Sequence, residues 1–178
     1  MTASRLRRHL LLSLRLPGNV ERTLSDLQMQ IFKATGACSS QALPAFIPLA
    51  YLDDRCDADI VSLLPQEEMA AVEVGELTPC QDTVVFTASL SDAWERWLSN
   101  LRRAPSPSGM PMPGCGVFLA ATDAVTWTAA GQVSAAAMPH HLTVMKIELI
   151  DLTVADDDEW WQNVEWEALW SKRIKLRG

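Results

Sequence analysis

The sequence has no long apolar run, and the apolar stretch at its start is interrupted. A membrane-spanning helix needs ~20 consecutive apolar residues, and no stretch approaches that length, so we expect no membrane segment and no membrane partner. The start, Arg5–Leu12, superficially resembles a signal peptide. However, Arg15 interrupts its apolar region and no small-residue cleavage site follows. We therefore predict a first β-strand there.

Cysteines are few, and they are widely separated. The chain contains Cys38, Cys56, Cys80 and Cys115, none of them in a C-x-x-C pair. This spacing argues against a metal site and against a disulfide framework. Reduced thiols in a cytoplasm are the simpler explanation. The sequence thus predicts a cytoplasmic protein with no metal and no cofactor.

Positive charge is also in short supply. The chain has 15 Lys and Arg against 22 Asp and Glu, a net charge of −7. Broad, non-specific binding of nucleic acid depends on neutralising phosphates with basic side chains, so this class of function is disfavoured. A small basic cleft that takes a nucleotide or RNA ligand remains compatible with the composition.

Two other kinds of site find little support. The acidic run Asp156–Glu159 has no evenly spaced ligand set, so we interpret it as the solvated start of an element rather than a cation site. Ser89 and Ser134 lack the surroundings of a nucleophile elbow. The sequence therefore does not support a serine hydrolase.

What is present indicates one globular domain. With 178 residues, 48% apolar and 21% charged, the chain can form one substantial core, or two small lobes that share one. Apolar periodicity predicts the order strand, helix, strand, paired strands, helix, strand, strand. The expected ranges are 9–16, 19–36 with Asn19 as N-cap, 43–54, 71–77 with 83–88, 91–103, 117–121 and 141–152. Between them, Ala104–Gly116 contains four prolines and three glycines and is predicted to be an irregular, flexible loop.

The end of the chain, 156–178, is rich in tryptophan. Acidic residues at its start and basic residues at its end suit a helix, while its last residues could equally alternate as a strand. On a helix, Trp166 and Trp170 share one face, whereas Trp160 and Trp161 point in different directions. We predict that the segment packs on the domain through Trp166 and Trp170. Trp160 or Trp161 would then be offered to a protein partner or to a second copy of the chain.

The most informative stretch is Leu43–Asp54, an apolar run of strand length that ends in acidic turn residues. It resembles the first signature strand of the two-histidine phosphoesterases, the superfamily of bacterial 2'-5' RNA ligases and cyclic nucleotide phosphodiesterases. That strand reads roughly Pro-His-h-Thr-h-Ala-h-h-Gly-Asp, where h is apolar. Phe46 stands where the histidine belongs, and Pro48 where the threonine belongs. The residues that keep the pattern are Ala50, Tyr51, Leu52 and Asp54.

The resemblance implies an α+β fold over residues 1–178, with two antiparallel-sheet lobes and outer helices. It also implies acid–base attack on a phosphodiester by two histidines, with each threonine hydrogen-bonded to the phosphate. Phenylalanine cannot transfer a proton, and proline has neither a hydroxyl nor a backbone N–H. In this chain the first half of the catalytic apparatus is therefore missing.

Two registers compete for the second signature strand. One uses 139–144, a literal His-x-Thr that would keep His141 as acid or base and Thr143 as phosphate ligand. The other uses 113–120, which directly follows the second helix, as the family order requires. In that register Gly116 replaces the histidine and Phe118 the threonine. The strand that lies opposite Phe46 distinguishes the two.

Three functions follow from these alternatives. The first is a degenerate phosphoesterase-like module that binds a ligand or a protein partner without catalysis. The second is an active cyclic phosphodiesterase or 2'-5' RNA ligase-like enzyme that uses His141 and Thr143. The third is a structural subunit that docks through its tryptophan-rich end.

Overall fold

A computed structural model describes residues 5–53, 71–107, 109–121, 139, 141–143, 146–155 and 160–174, and only the backbone of Ala71, Leu142 and Thr143. Among these residues the chain forms eight strands, three helices and one 3₁₀ turn. In order they are β1 (Leu6–Arg15), α1 (Gly18–Thr35), α2 (Ser39–Ala42), β2 (Ile47–Leu52), β3 (Ala71–Cys80), β4 (Thr83–Ser89), α3 (Asp92–Ser99), β5 (Gly116–Ala121), β6 (His141–Thr143), β7 (Lys146–Ala155), the 3₁₀ turn (Trp160–Asn163) and β8 (Val164–Arg173).

The strands form two four-stranded antiparallel sheets. Sheet A has the spatial order β2-β1-β7-β8, and sheet B has the order β5-β4-β3-β6. The predicted α+β class with two antiparallel sheets is confirmed. No helix in the described part of the chain is long and apolar enough to cross a membrane.

Helix α1 forms where the apolar spacing predicts it. Its buried positions recur every three or four residues, which places them on one side of the helix: Val20, Leu24, Leu27, Gln28 and Ile31. The helix begins after Pro17 rather than at the predicted cap Asn19. It ends at Gly36, whose left-handed φ of 73° lets its N–H donate to the carbonyl of Phe32 over 2.7 Å.

Each sheet has one face that packs against α1 or α3, here called the helix face, and an opposite face, here called the aromatic face. On the helix face a single apolar cluster joins residues of both sheets to α1 and α3. On the aromatic face a second cluster contains Leu11, Leu43, Phe46, Tyr51, Met110, Phe118, Ala121, Ile150, Leu152, Val154 and Trp160. We call this second set the aromatic cluster.

Edge strands β2 and β5 share a local irregularity. The pairing of β1 with β2 shifts so that Leu49 has no partner residue, and the pairing of β4 with β5 shifts so that Leu119 has none. Each extra residue lets a leucine and the following alanine pack together on the helix face, where both pairs are buried. As a result, the residues before each bulge, Phe46 and Phe118, remain on the aromatic face.

The last part of the chain differs from the helical prediction. Residues 160–163 form a short 3₁₀ turn, and 164–173 form β8, which pairs with β7 along its whole length. The helical prediction is therefore wrong for this segment, and the strand alternative, which was made only for the last residues of the chain, is correct at Lys172 and Arg173. The predicted strand 141–152 is divided, because β6 joins sheet B while β7 joins sheet A. The acidic runs at 54–59 and 156–159 lie outside the described residues.

Two cysteines form a disulfide, which the sequence analysis did not expect. Cys80, at the end of β3, is bonded to Cys115, just before β5, with Cα atoms 6.2 Å apart. The prediction of reduced thiols is wrong for this pair. Because the argument for a cytoplasmic location rested on reduced thiols, it loses its basis. Cys38 is free and exposed, and Cys56 lies outside the described residues.

We predict that Cys115→Ser lowers the free energy of unfolding by about 2–4 kcal/mol, since the bond closes a long loop in the unfolded chain. The bond spans 35 positions of sequence. Denaturant unfolding of the oxidised protein measures the change. Cys38→Ser is the matched control and should leave stability within about 0.5 kcal/mol. Equal stability of Cys115→Ser and wild type would contradict the bond.

Candidate functional site

The two sheets meet where the edge strands β2 and β5 run past each other. The backbone N–H of Phe118 donates to the carbonyl of Phe46 over 3.0 Å. The two phenyl rings stack with centroids 6.3 Å apart and planes inclined by 25°. Both side chains are completely buried, at 0% exposure. The structure thus brings together the first-histidine position and the second-threonine position of the 113–120 register.

Helix α1 supports this junction from the other side. The buried side-chain amide of Gln28 donates to the carbonyl of Leu43 over 3.1 Å and to that of Leu119 over 3.0 Å. One side chain therefore connects the segment that enters β2 with strand β5. Sequence reasoning missed this residue, although a glutamine within the apolar stripe of α1 is a detectable signal.

The aromatic cluster is covered by two segments distant in sequence. Trp160, 1% exposed, packs on Phe118 with ring centroids 6.4 Å apart. Its indole N–H donates to the carbonyl of Gly109 over 2.9 Å. The hydroxyl of Tyr51 donates to the carbonyl of Pro111 over 3.0 Å, and Met110 is buried between these contacts. The proline- and glycine-rich loop is irregular, as predicted, but its described part is packed onto the cluster.

Gly116 occupies a position that no other residue fits. Its φ of 141° lies in a region that side-chain-bearing residues rarely adopt. A Cβ atom placed on it would overlap the carbonyl of Phe86 in the neighbouring strand β4. A histidine at this position would therefore require β5 and β4 to separate.

Pro48 is the last of the four positions that the sequence analysis assigned to the histidines and threonines of the two signature strands. It lies opposite Ser13 of β1, in the buried strand β2. Register and alternation put Phe46, Pro48, Gly116 and Phe118 on the aromatic faces of their sheets. None of these four residues carries an acid, a base or a hydroxyl.

The other candidate pair lies elsewhere. His141 is exposed in β6, opposite Glu73 of β3. Strand β6 is at the edge of sheet B opposite to β5, three strand spacings or roughly 14 Å away. The backbone of Thr143 pairs with Ala71. The structure therefore does not bring His141 next to Phe46.

The tryptophans are used in a different way from that predicted. Trp160 is buried, so the prediction that it is offered to a partner is wrong. Trp161 is half-buried and packs edge-on against Trp160, with centroids 5.9 Å apart. Trp170 packs against the helix-face cluster, as predicted, but Trp166 is 42% exposed. The prediction used helical spacing, whereas the segment is a strand whose bulge at Leu169 places Trp166 opposite Leu152 and Trp170 opposite Leu149, on different faces of sheet A.

One open cavity of about 360 Å³ lies at the end of β2, next to Leu52 and Asp53. Its charged and aromatic lining includes Arg8, His9, Tyr51, Asp53 and Arg103. Arg8 forms a two-pronged ion pair with Asp151, with Nε–Oδ1 2.9 Å and Nη2–Oδ2 2.6 Å. The described residues contain no group of three or more acidic, histidine or cysteine side chains able to hold a metal ion.

Comparisons with known proteins give a distant likeness. No protein-family model matches the chain, and no curated protein matches it. Among solved structures, E. coli LigT in complex with 3'-AMP is 12% identical with a TM-score of 0.48, over 94% of this chain and 98% of that chain. A second structure, a phosphoesterase, is 13% identical with a TM-score of 0.47, over 94% of this chain and 99% of that chain. The likeness concerns overall fold, and it assigns no role to any residue of this chain.

We predict that Phe118→Ala destabilises the protein by about 3–5 kcal/mol, because it opens a cavity in the aromatic cluster next to Phe46 and Trp160. Phe32→Ala, at a side chain 36% exposed on α1, is the matched control and should cost less than about 1 kcal/mol. Urea unfolding of both variants measures the difference. Similar losses for the two would mean that the cluster is not tightly packed.

We predict a loss of stability in alkali that depends on Tyr51. Burial raises the pKa of this tyrosine, because the charged phenolate would be desolvated. Because its pKa is higher in the folded than in the unfolded protein, the protonated Tyr51 contributes to the free energy of unfolding. This contribution is complete below the unfolded pKa of about 10 and is lost as the pH rises above it. Tyr51 is the only tyrosine, so tyrosinate absorbance reports it alone.

In this experiment, tyrosinate should form only as the protein unfolds, and urea stability should fall above a pH of about 10. Tyr51→Phe should weaken that fall. The variant should also be about 1–2 kcal/mol less stable at neutral pH, since the carbonyl of Pro111 loses its donor. Titration of the folded protein at the ordinary tyrosine pKa would contradict the buried position.

Proposed function

We propose that this protein is a degenerate two-histidine phosphoesterase-like module, which binds a ligand or a protein partner without cleaving a phosphodiester. The observation that carries the proposal is the buried, stacked pair of Phe46 and Phe118. The resemblance at 43–54 assigns position 46 to a catalytic histidine, and the 113–120 register assigns position 118 to a phosphate-binding threonine.

The chemistry of the junction supports this reading. Acid–base catalysis requires groups that exchange protons within hydrogen-bond reach of the substrate. The four motif positions supply two phenyl rings, one proline and one glycine. The hydroxyl of Tyr51 donates its hydrogen bond to the carbonyl of Pro111. Because burial raises the pKa of Tyr51, the hydroxyl stays protonated near neutral pH and cannot act as a base.

The packing of the junction also leaves no room for a phosphate. A phosphodiester carries negative charge, and transfer of an unpaired charge into an apolar cluster is strongly unfavourable. Trp160 and Met110 already fill the space over the two phenylalanines. We therefore expect any ligand or partner to bind on the outside of the molecule.

Gly116 supports the proposal in a second way, because here the obstacle to a histidine is the position of the backbone. The close approach of Gly116 to the carbonyl of Phe86 is incompatible with a histidine. A return to activity in this register would thus need a rearranged β4–β5 pair. The strand geometry at Gly116 thus supports the degenerate reading.

The alternative is an active phosphodiesterase that uses His141 and Thr143. Its support is the literal His-x-Thr sequence. Against it, His141 is exposed at the sheet edge remote from β5, and the residue directly opposite is Glu73. The contact of Phe118 with Phe46 favours the degenerate register.

We predict no turnover of 2',3'-cyclic nucleotides or of 2'-5' linked oligonucleotides. A single acid–base group contributes about 10²–10⁴-fold in rate, so loss of the first pair alone leaves little activity. The assay compares the wild-type protein with His141→Ala and, as a matched histidine control, His9→Ala. An active phosphodiesterase measured in parallel establishes the detection limit.

Turnover that persists equally in wild type and both variants would be assigned to a contaminant or to another site. Turnover lost in His141→Ala but retained in His9→Ala would overturn the proposal and favour the active enzyme.

A further inference from the structure

Strand β8 is a long edge. It lies at the end of sheet A, and within the described part of the chain it pairs only with β7. In an antiparallel sheet, alternate residues direct their N–H and C=O groups away from the neighbouring strand. Along the ten residues Val164–Arg173, an outer row of backbone donors and acceptors therefore faces outward. Such a row is a template for pairing with another strand.

The side chains of this edge are unusual for a solvent-facing strand. Trp166 is 42% exposed and Leu169 is 46% exposed, while Ala168 between them is also exposed. These are two of the five large hydrophobic side chains that the described structure leaves exposed. They mark the middle of β8 as an apolar strip.

The acidic and basic side chains of β8 are separated along the strand. Glu165 and Glu167 lie in its first half, and Lys172 and Arg173 lie at its end. None of these four side chains makes an ion pair with the described residues. If all the charges of this edge had one sign, they would repel the same edge of a second copy and so protect it against association. Here opposite signs are separated to opposite ends.

An antiparallel second copy would match this distribution. When two β8 strands overlap over their full length, Glu165 of each copy lies opposite Lys172 of the other, and Val164 lies opposite Arg173. The pairing with β7 puts Glu165 opposite Thr153 and Lys172 opposite Ile147. Thr153 and Ile147 lie on the same face of β7, so the two charges would meet on one face.

Because β8 has a bulge, the full overlap of two β8 strands also brings residues of the same face opposite each other on the second face of the strand. The pairing of β7 with β8 skips Leu169, so that Trp166 and Ser171 lie opposite Leu152 and Glu148. Leu152 and Glu148 share one face of β7, and full overlap places Trp166 of one copy opposite Ser171 of the other. Both faces of the strand therefore accept this pairing.

We propose that the protein forms a homodimer through antiparallel pairing of β8 with β8 of a second copy. The two four-stranded copies of sheet A then become one continuous sheet across a two-fold axis. The axis passes near Ala168 and Leu169, where the exposed apolar strip of each copy covers that of the other. Backbone hydrogen bonds supply affinity, and the charge pairs select the register.

A charge exchange tests the proposal. Molecular mass in solution, measured by sedimentation equilibrium at protein concentrations up to about 0.1 mM, should show a dimer. Glu165→Lys opposes two positive charges, and Lys172→Glu opposes two negative charges, so each should raise the dimer dissociation constant about tenfold. The double variant restores opposite signs and should return the constant to within about threefold of wild type.

The controls are Asp26→Lys and Lys33→Glu, which make the same changes of net charge at exposed positions of α1. They should leave the dissociation constant unchanged. Circular dichroism of every variant confirms that the fold is retained. A wild-type protein that stays monomeric overturns the proposal, as does a dimer insensitive to both single changes. Failure of the double variant to recover also overturns it, since the charges would then not lie opposite one another.

Discussion

The contact between the edges of the two sheets determines where the rest of the molecule lies. Phe118 donates its backbone N–H to Phe46, and Gln28 of α1 connects both strands through their carbonyl groups. Buried backbone groups must find hydrogen-bond partners, and these bonds supply them at the point where two separate sheets meet. The stacked phenyl rings then provide the apolar surface on which Trp160 and Met110 pack.

The same contact makes the junction part of a packed apolar cluster. Burial of a large apolar side chain stabilises a fold by about 1.5–3 kcal/mol, whereas buried histidine and threonine need partners for each polar atom. A dry aromatic cluster requires an apolar side chain at a position where a phosphate-binding pocket requires a polar one. In this chain both positions hold buried phenylalanines, Phe46 and Phe118, and the backbone at Gly116 leaves no space for a side chain. Among the described residues, the outer edge of β8 lies on the surface, away from this cluster.

Parts of the fold were visible in the sequence because they depend on local periodicity. The stripe of Val20, Leu24 and Ile31 predicted α1, and alternating apolar residues predicted most of the strands. The bulges in β2 and β5 were not predicted, since they depend on pairing with β1 and β4. For the same reason, helical spacing was wrongly used for the tryptophans of 164–173, and a strand was expected only for the last residues. The alternating pattern of this segment fits a strand only when the edge of β7 is available to pair with it.

The sequence by itself determined that Phe46 and Pro48 carry no acid, base or hydroxyl, because this follows from residue type alone, while the resemblance at 43–54 implied the α+β class. Tertiary structure alone decided that Phe118 is the neighbour of Phe46, that Cys80 is bonded to Cys115, and that Trp160 is buried while Trp166 is exposed. Each of these facts joins residues far apart in the chain or depends on which edge a strand pairs with. Short-range patterns contain no information about such pairings, since the free energy that selects them comes from the packing of the whole domain.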